Sequence, residues 1–407
     1  MSVFFCFLQF LVCVKKQVNN MEKYILKNQK QLRCGITTGT CSAAAAGAAA
    51  KLLLLNIESN EVNIHTPKGV KVAVPVILKR KTDKKVEYMV IKDSGDDPDV
   101  TNNAEICASV EMLDSKYISP FAFNDERYEN LYLDGGIGVG RVTKAGLEQN
   151  IGQAAINLVP RDMIFKAVGE VCQLAEYRGK LLITVNIPKG QELAERTFNP
   201  RLGIEGGISI LGTSGILEPM SEKAIVDTIE TEIRQFHAQG NENLLVTPGN
   251  YGKSYVSDYL HLDLNKSIKC SNYIGETLDL AVSYKMKNFL LVGNIGKLCK
   301  LAAGIMNTHS KIADGRCEIM ALHTVLCGGS REKAEKIMNC INTEEILDIL
   351  EACSLRNAVI ESLCSKIYEH ISHRVGSNMK FGVMLFSEKY GFLGQTKGTE
   401  IILNNYK

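Results

Sequence analysis

Between residues 39 and 55 the chain is almost entirely alanine and leucine, and threonines at 37, 38 and 40 stand at its head. Alanine and leucine favour the helix most, and a threonine hydroxyl can accept a hydrogen bond from the free N–H groups of a first turn. The pattern therefore predicts a helix capped within Thr37, Thr38 and Thr40. Two β-branched runs follow, at 62–78 and 85–93, the first broken by Pro67 and Gly69, which predicts a hairpin and a further strand. A second helical stretch at about 161–176 precedes residues 181–198, whose turn at Asn186, Pro188 and Gly190 is similar to the one at 63–69. Two helix-plus-hairpin units packed as one α+β domain would explain the echo.

From about residue 206 the pattern changes. Short apolar runs end in glycine loops at 208–215, 244–252 and 288–296, each followed by helical sequence. Strand, glycine loop and helix in repetition are the sequence form of a doubly wound parallel sheet, whose ligand sites lie at the carboxyl ends of its strands. Helices are expected at about 219–239, 275–286, 295–307 and 332–372 (one or two), with a late strand at 380–387. The expected fold is thus a helix/hairpin α+β domain over 21–205 and a parallel-sheet α/β domain over 206–407.

Composition narrows the partners. The 407 residues, 45% hydrophobic and 23% charged, suffice for two cores, and 47 basic against 45 acidic side chains leave no single-sign field for nucleic acid or a membrane surface. Thirteen cysteines without a C-x-x-C pair or zinc-ligand spacing are expected to be reduced, mostly buried thiols, which points to the cytoplasm. The apolar run from Val3 to Val14 is shorter than the roughly 20 residues of a membrane span and lacks the flanks of a signal peptide. Residues 1–20 are set apart as an extension, with Met21 the expected start of the native protein.

Three places can carry chemistry. Glycines 206, 207, 212 and 215, with Thr213 and Ser214, let backbone N–H groups approach a ligand, although neither a G-x-G-x-x-G nor a G-x-x-x-x-G-K-[ST] pattern occurs. Glycine loops at 248–252 and 293–296 should join them on one rim. Residues 93–99 hold Asp93, Asp96, Asp97 and Asp99, either a functional carboxylate cluster or an acidic surface turn. Lys297, Lys300, Lys311 and Arg316 can meet an anionic ligand, and His309 lies in a polar run beside them.

Residues 32–41, 94–101, 136–144, 154–161 and 199–213, in that order, resemble the CbiD family, as do 249–252, 271–275 and 296–309. The resemblance spans roughly residues 30–395. It implies S-adenosylmethionine-dependent methylation at C-1 of cobalt-precorrin-5B, giving cobalt-precorrin-6A, with cobalt arriving only inside the substrate. It also implies an α+β domain joined to an α/β domain. Carried onto this chain, Gly206, Gly207, Gly212, Thr213, Gly215, Gly249, Gly252, Gly293 and Gly296 would hold the methyl donor. Thr37, Thr38, Thr40, Asp96, Asp99, Arg201 and Lys297 would line the macrocycle cleft between the domains, and Asp97 and His309 would be the acid–base candidates. Ala145, Leu158 and Asn294 depart from the family pattern, which leads one to expect proline, proline and histidine there. A neutral Asn294 is no general base. Two other functions fit the residues without the resemblance: a nicotinamide-dependent oxidoreductase and a non-catalytic tetrapyrrole carrier.

Overall fold

The computed structural model describes residues 24–27, 29–113, 119–197, 199–249, 255–257, 259–263 and 267–406. The extension at 1–20, Met21 and the loop glycine Gly252 lie outside them. Tertiary contacts divide the chain into two units, Met1–Ser221 and Glu222–Lys407. The two units are joined at residues 221 and 222, not at 205 and 206 where the glycine pattern begins.

In the first unit the alanine-rich stretch forms helix α1 (Thr38–Leu55), capped by Thr37, whose hydroxyl accepts the Thr40 N–H. Cys41, Ala43, Ala44 and Ala45 are fully buried, and at about 100° per residue they lie on different sides of the helix. Small side chains are what allow a helix to be surrounded in this way, since each lets a neighbouring backbone approach. By length and composition α1 could cross a membrane, yet most of it is buried within the structure. Strands β1 (Ile77–Lys81), β2 (Lys85–Ile91), β3 (Glu105–Met112), β4 (Phe123–Asn124) and β5 (Leu131–Gly135), helix α2 (Leu158–Leu174) and strand β6 (Leu181–Asn186) complete the layer. The sheet runs β1-β2-β3-β6-β5-β4, with β6 antiparallel to β3 and parallel to β5. Helix α1 packs on α2 and against β2 and β3.

The first predicted hairpin forms, Glu61–His65 pairing antiparallel with Lys71–Pro75. Its echo does not: β6 is followed by a short helix, Gly190–Ala194. A Cβ on Gly190 would lie 2.0 Å from the Gly138 carbonyl oxygen, so residues 187–190 are pressed against another strand and leave no room for a hairpin return. Residues 206–217 also belong here, because Gly207–Ile208 pairs parallel with Gly138–Val139 and Ile216–Leu217 antiparallel with Gly35–Ile36.

The second unit opens with α3 (Glu222–Ala238). It continues through β7 (Asn243–Thr247), β8 (Ser267–Lys269), α4 (Ile274–Ser283), β9 (Asn288–Asn294), α5 (Ile295–Leu298), α6 (Arg316–Leu326), α7 (Arg331–Met338), α8 (Thr343–Ala352), α9 (Arg356–Val375), β10 (Lys380–Ser387), β11 (Gly391–Gln395) and α10 (Thr399–Leu403). The sheet order is β8-β7-β9-β10-β11, parallel except for the last pair. Leu244, Val246, Phe289 and Leu291 enter one core, Leu245, Leu290 and Val292 another, so both faces of the central strands are covered. That double burial is why these strands read as unbroken apolar runs. The stretch expected as one or two helices at 332–372 resolves into three, α7, α8 and α9. The helix expected over 295–307 stops at α5 and continues as a 3₁₀ turn, Cys299–Ala303, ended by Gly304 at φ 74°.

Candidate active site

The second unit places β7 and β9 side by side, with β8 on one flank and β10 on the other. The chain from β7 crosses outward to β8, and the chain from β9 crosses the opposite way to β10. Neighbouring connections that diverge leave a crevice at the carboxyl ends of the two central strands, the usual ligand position in an open parallel sheet. The crevice is present, a cleft of about 260 Å³. Pro248 and Gly249 border it after β7; Gly293 and Asn294 at the end of β9, with Gly296 and Lys297 in α5; Glu388 after β10; and Arg316 from the start of α6.

Local chemistry explains the shape. Pro248 has no N–H to continue the ladder past β7. A Cβ on Gly293 would crowd Leu298 and Pro248, at 2.9 and 3.2 Å, whereas a Cβ on Gly249 would meet nothing within 4 Å among the described residues. Asn294 caps α5, its Oδ1 accepting the Gly296 N–H at 2.7 Å. In place of the histidine expected there, the amide performs a backbone task and carries no titratable proton. One residue before the cleft, the Thr247 hydroxyl is buried without a hydrogen-bond partner among the described residues.

The charges around the cleft differ in their commitments. Arg316 is held by Asp314 through two hydrogen bonds of 2.6 and 2.9 Å, which raises its pKa. Lys300 is buried and donates to the carbonyls of Thr308 and Ala313 at 3.1 and 2.8 Å, pinning the polar run. Lys297 is half-buried and forms no ion pair or hydrogen bond among the described residues. Burial holds its pKa below the ordinary lysine value; Cys270 opposes the shift, and Lys269 and Lys300 add to it. Glu388 stands exposed on the rim.

Of the three glycine loops, two meet here. Gly249, Gly293 and Gly296 line the cleft, while Gly206, Gly207, Gly212, Thr213 and Gly215 belong to the first unit. That third loop is fastened to the head of α1. Thr38 Oγ1 donates to the Leu211 carbonyl and accepts its N–H, both at 3.0 Å, and Thr40 Oγ1 donates to the Gly215 carbonyl at 2.7 Å. Gly212, at φ 137°, lies so close to Thr37 that a Cβ would fall 2.3 Å from its hydroxyl oxygen. Thr37, Thr38 and Thr40 are thus tied to backbone.

The aspartates are engaged too. Asp93 chelates Arg33 at 2.5 and 2.7 Å, Asp96 accepts the Arg33 N–H at 2.6 Å, and Asp97 accepts the Met220 N–H at 2.9 Å. Asp99 pairs with buried Lys92 and accepts the N–H and hydroxyl of Thr101, each at 2.8 Å. Each carboxylate is occupied by a donor of the protein, Asp99 by near neighbours in sequence and Asp93, Asp96 and Asp97 by residues remote in sequence, which is the pattern of a structural role. Arg201 is exposed in the turn between Asn199 and Gly203. His309 is exposed, and its Nδ1 accepts the Lys311 N–H at 3.1 Å. Asp97 and His309, the two acid–base candidates, lie in different units. Glu388 escaped sequence reasoning; its signal was its place directly after the apolar run at 380–387.

A family model described as CbiD matches residues 25–219, and one described as the CbiD C-terminal domain matches 307–397. A relative from Ruminiclostridium cellulolyticum, named cobalt-precorrin-5B C(1)-methyltransferase, is 47% identical over 90% of this chain and 92% of its own. One of the same name from Methanocaldococcus jannaschii is 37% identical over 90% of this chain and 97% of its own. A crystal structure of a cobalamin biosynthesis protein (cbiD) from Archaeoglobus fulgidus is 27% identical, covering 74% of this chain and 90% of that one. Its TM-score of 0.39 is too low to bear on the fold.

Proposed function

The chain belongs to the CbiD family, and from that premise we propose that it methylates C-1 of cobalt-precorrin-5B, giving cobalt-precorrin-6A, with S-adenosylmethionine as donor. It acts in the cytoplasm on this reading, and cobalt enters only within the substrate. The observation that carries the donor half is the crevice at the carboxyl ends of β7 and β9, where an open parallel sheet receives a nucleotide-like ligand. The residues there suit an adenosyl ligand: a Gly249 with no described residue against it, the short turn through Gly293 and Gly296, and next door a Thr247 hydroxyl without a partner among the described residues.

When bound, the donor supplies a methyl carbon already activated by its sulfonium sulfur. The protein has then to hold donor and acceptor carbon in line and keep water out, which proximity and orientation accomplish without a strong base. An asparagine at 294 is compatible with that demand. We assign the donor contacts to Gly249, Gly293 and Gly296, and give Gly206, Gly207, Gly212, Thr213 and Gly215 the task of building the first unit. The macrocycle half rests on the family alone.

Incubating the full-length protein with cobalt-precorrin-5B and methyl-labelled S-adenosylmethionine tests the reaction. Label at C-1 of the product is expected. Recovery of unmethylated macrocycle, under conditions where the R. cellulolyticum relative turns over, would refute the assignment.

A further inference from the structure

We propose that the cleft reads the amino-acid end of the methyl donor through opposite charges, Lys297 holding the α-carboxylate and Glu388 the α-ammonium. The inference rests on the donor site proposed above and adds which groups recognise which end of it. A half-buried cation that pairs with no carboxylate among the described residues is an uncommon arrangement, because its desolvated charge has no direct counter-charge. Around Lys297 the imbalance is increased by Lys269 and Lys300. An anion placed there relieves both the burial and the repulsion.

The other cation at the cleft is already neutralised, since Asp314 chelates Arg316. Lys300 is spent on two carbonyls. Lys297 is therefore the group left to receive a carboxylate. Glu388 follows β10, the strand paired with β9, so the two charges rise from adjacent strand ends and border the same cleft.

Two opposite charges around about 260 Å³ match a zwitterion. They suit a macrocycle bearing several acetate and propionate groups poorly, because Glu388 would face it as a like charge. The space is also that of a small ligand's end rather than a tetrapyrrole. Lys297, expected from sequence on the macrocycle, is better used on the donor.

Calorimetry on the full chain provides the test, with two probes that share the adenosyl thioether: S-adenosylhomocysteine, which carries the amino-acid end, and methylthioadenosine, which does not. Wild-type protein should prefer S-adenosylhomocysteine by about 10- to 100-fold, the range of a charge-assisted contact in a partly buried site. Lys297→Met should collapse that preference to within about threefold while methylthioadenosine binds as before, which also shows the variant site to be intact. Lys297→Arg should keep most of the preference. Glu388→Gln should weaken S-adenosylhomocysteine but not methylthioadenosine. Equal wild-type affinity for the two probes, or a preference that survives Lys297→Met, overturns the proposal while leaving a donor site in place. Binding of neither probe overturns the donor site itself and this inference with it.

Discussion

Replacing Asp99 with asparagine distinguishes a carboxylate that serves substrate from one that serves the fold. The Lys92 side chain is only 1% exposed, and its Nζ meets two oxygens, the Ser94 hydroxyl at 2.8 Å and the Asp99 carboxylate. The asparagine amide could still accept from Thr101, but Lys92 would be left as a buried ammonium with no counter-charge. Removing one partner of a fully buried pair costs about 3–5 kcal/mol, and because Asp99 is 23% exposed, water offsets part of that, leaving about 2–3 kcal/mol. For a unit of this size the loss corresponds to a fall of roughly 4–12 °C in Tm. Scanning calorimetry at neutral pH measures it. The double variant Lys92→Met/Asp99→Asn should recover most of the loss, since the orphaned charge goes with its partner. Asp99→Asn melting with the parent protein, or a double variant as unstable as the two singles added, would refute the reasoning. The pH dependence has a definite sign. Burial raises the Asp99 pKa, but the Lys92 charge, its hydrogen bond and the two Thr101 donors outweigh it, so the folded value lies below the ordinary one. The stabilisation is then complete above the unfolded value of about 4 and disappears as pH falls through the folded one, so the gap between parent and Asp99→Asn should close in acid.

Gly212→Ala should cost about 1–3 kcal/mol, because an L-residue is strained at φ 137° and its Cβ would meet Thr37. Gly249→Ala should leave Tm unchanged and weaken S-adenosylhomocysteine binding, its methyl entering open cleft; the reverse pairing of effects would move the donor site to the first unit. Thr38→Val should lower stability by about 1–3 kcal/mol in urea unfolding, through the orphaned Leu211 N–H, with no change in KM for the macrocycle. His309→Ala and Asp97→Asn should each lower the methyl-transfer rate by less than about tenfold, since general acid–base groups contribute about 10²–10⁴. A loss of two decades in a folded variant would reinstate either one as catalytic.

Much of this protein was legible along the chain because the signals are local. A helix at 38–55 and its cap follow from alanine propensity and a threonine hydroxyl, both of which act within one turn. Apolar runs over 244–246 and 289–292 declare strands buried on both faces, and the proline or glycine that follows each lies within one residue of the strand's end. Order of motifs was enough to indicate the family, with no geometry at all. Pairing across the chain was not legible. The glycines at 206–215 look like those at 248–249 and 293–296, since a glycine signals close approach without saying of what. Only tertiary structure set the first group against Thr37, Thr38 and Gly138, and the second around a cleft. In the same way four aspartates in seven residues resemble a reactive cluster until Arg33, Lys92 and the Met220 N–H are found to occupy them. Lys297 runs the opposite course: an ordinary lysine in sequence, it becomes notable only where folding half-buries it near other cations, on a cleft that Glu388 also borders. Propensity and periodicity are properties of neighbours in the chain, whereas the partner that satisfies a charge or fills the space beside a glycine is chosen by the fold.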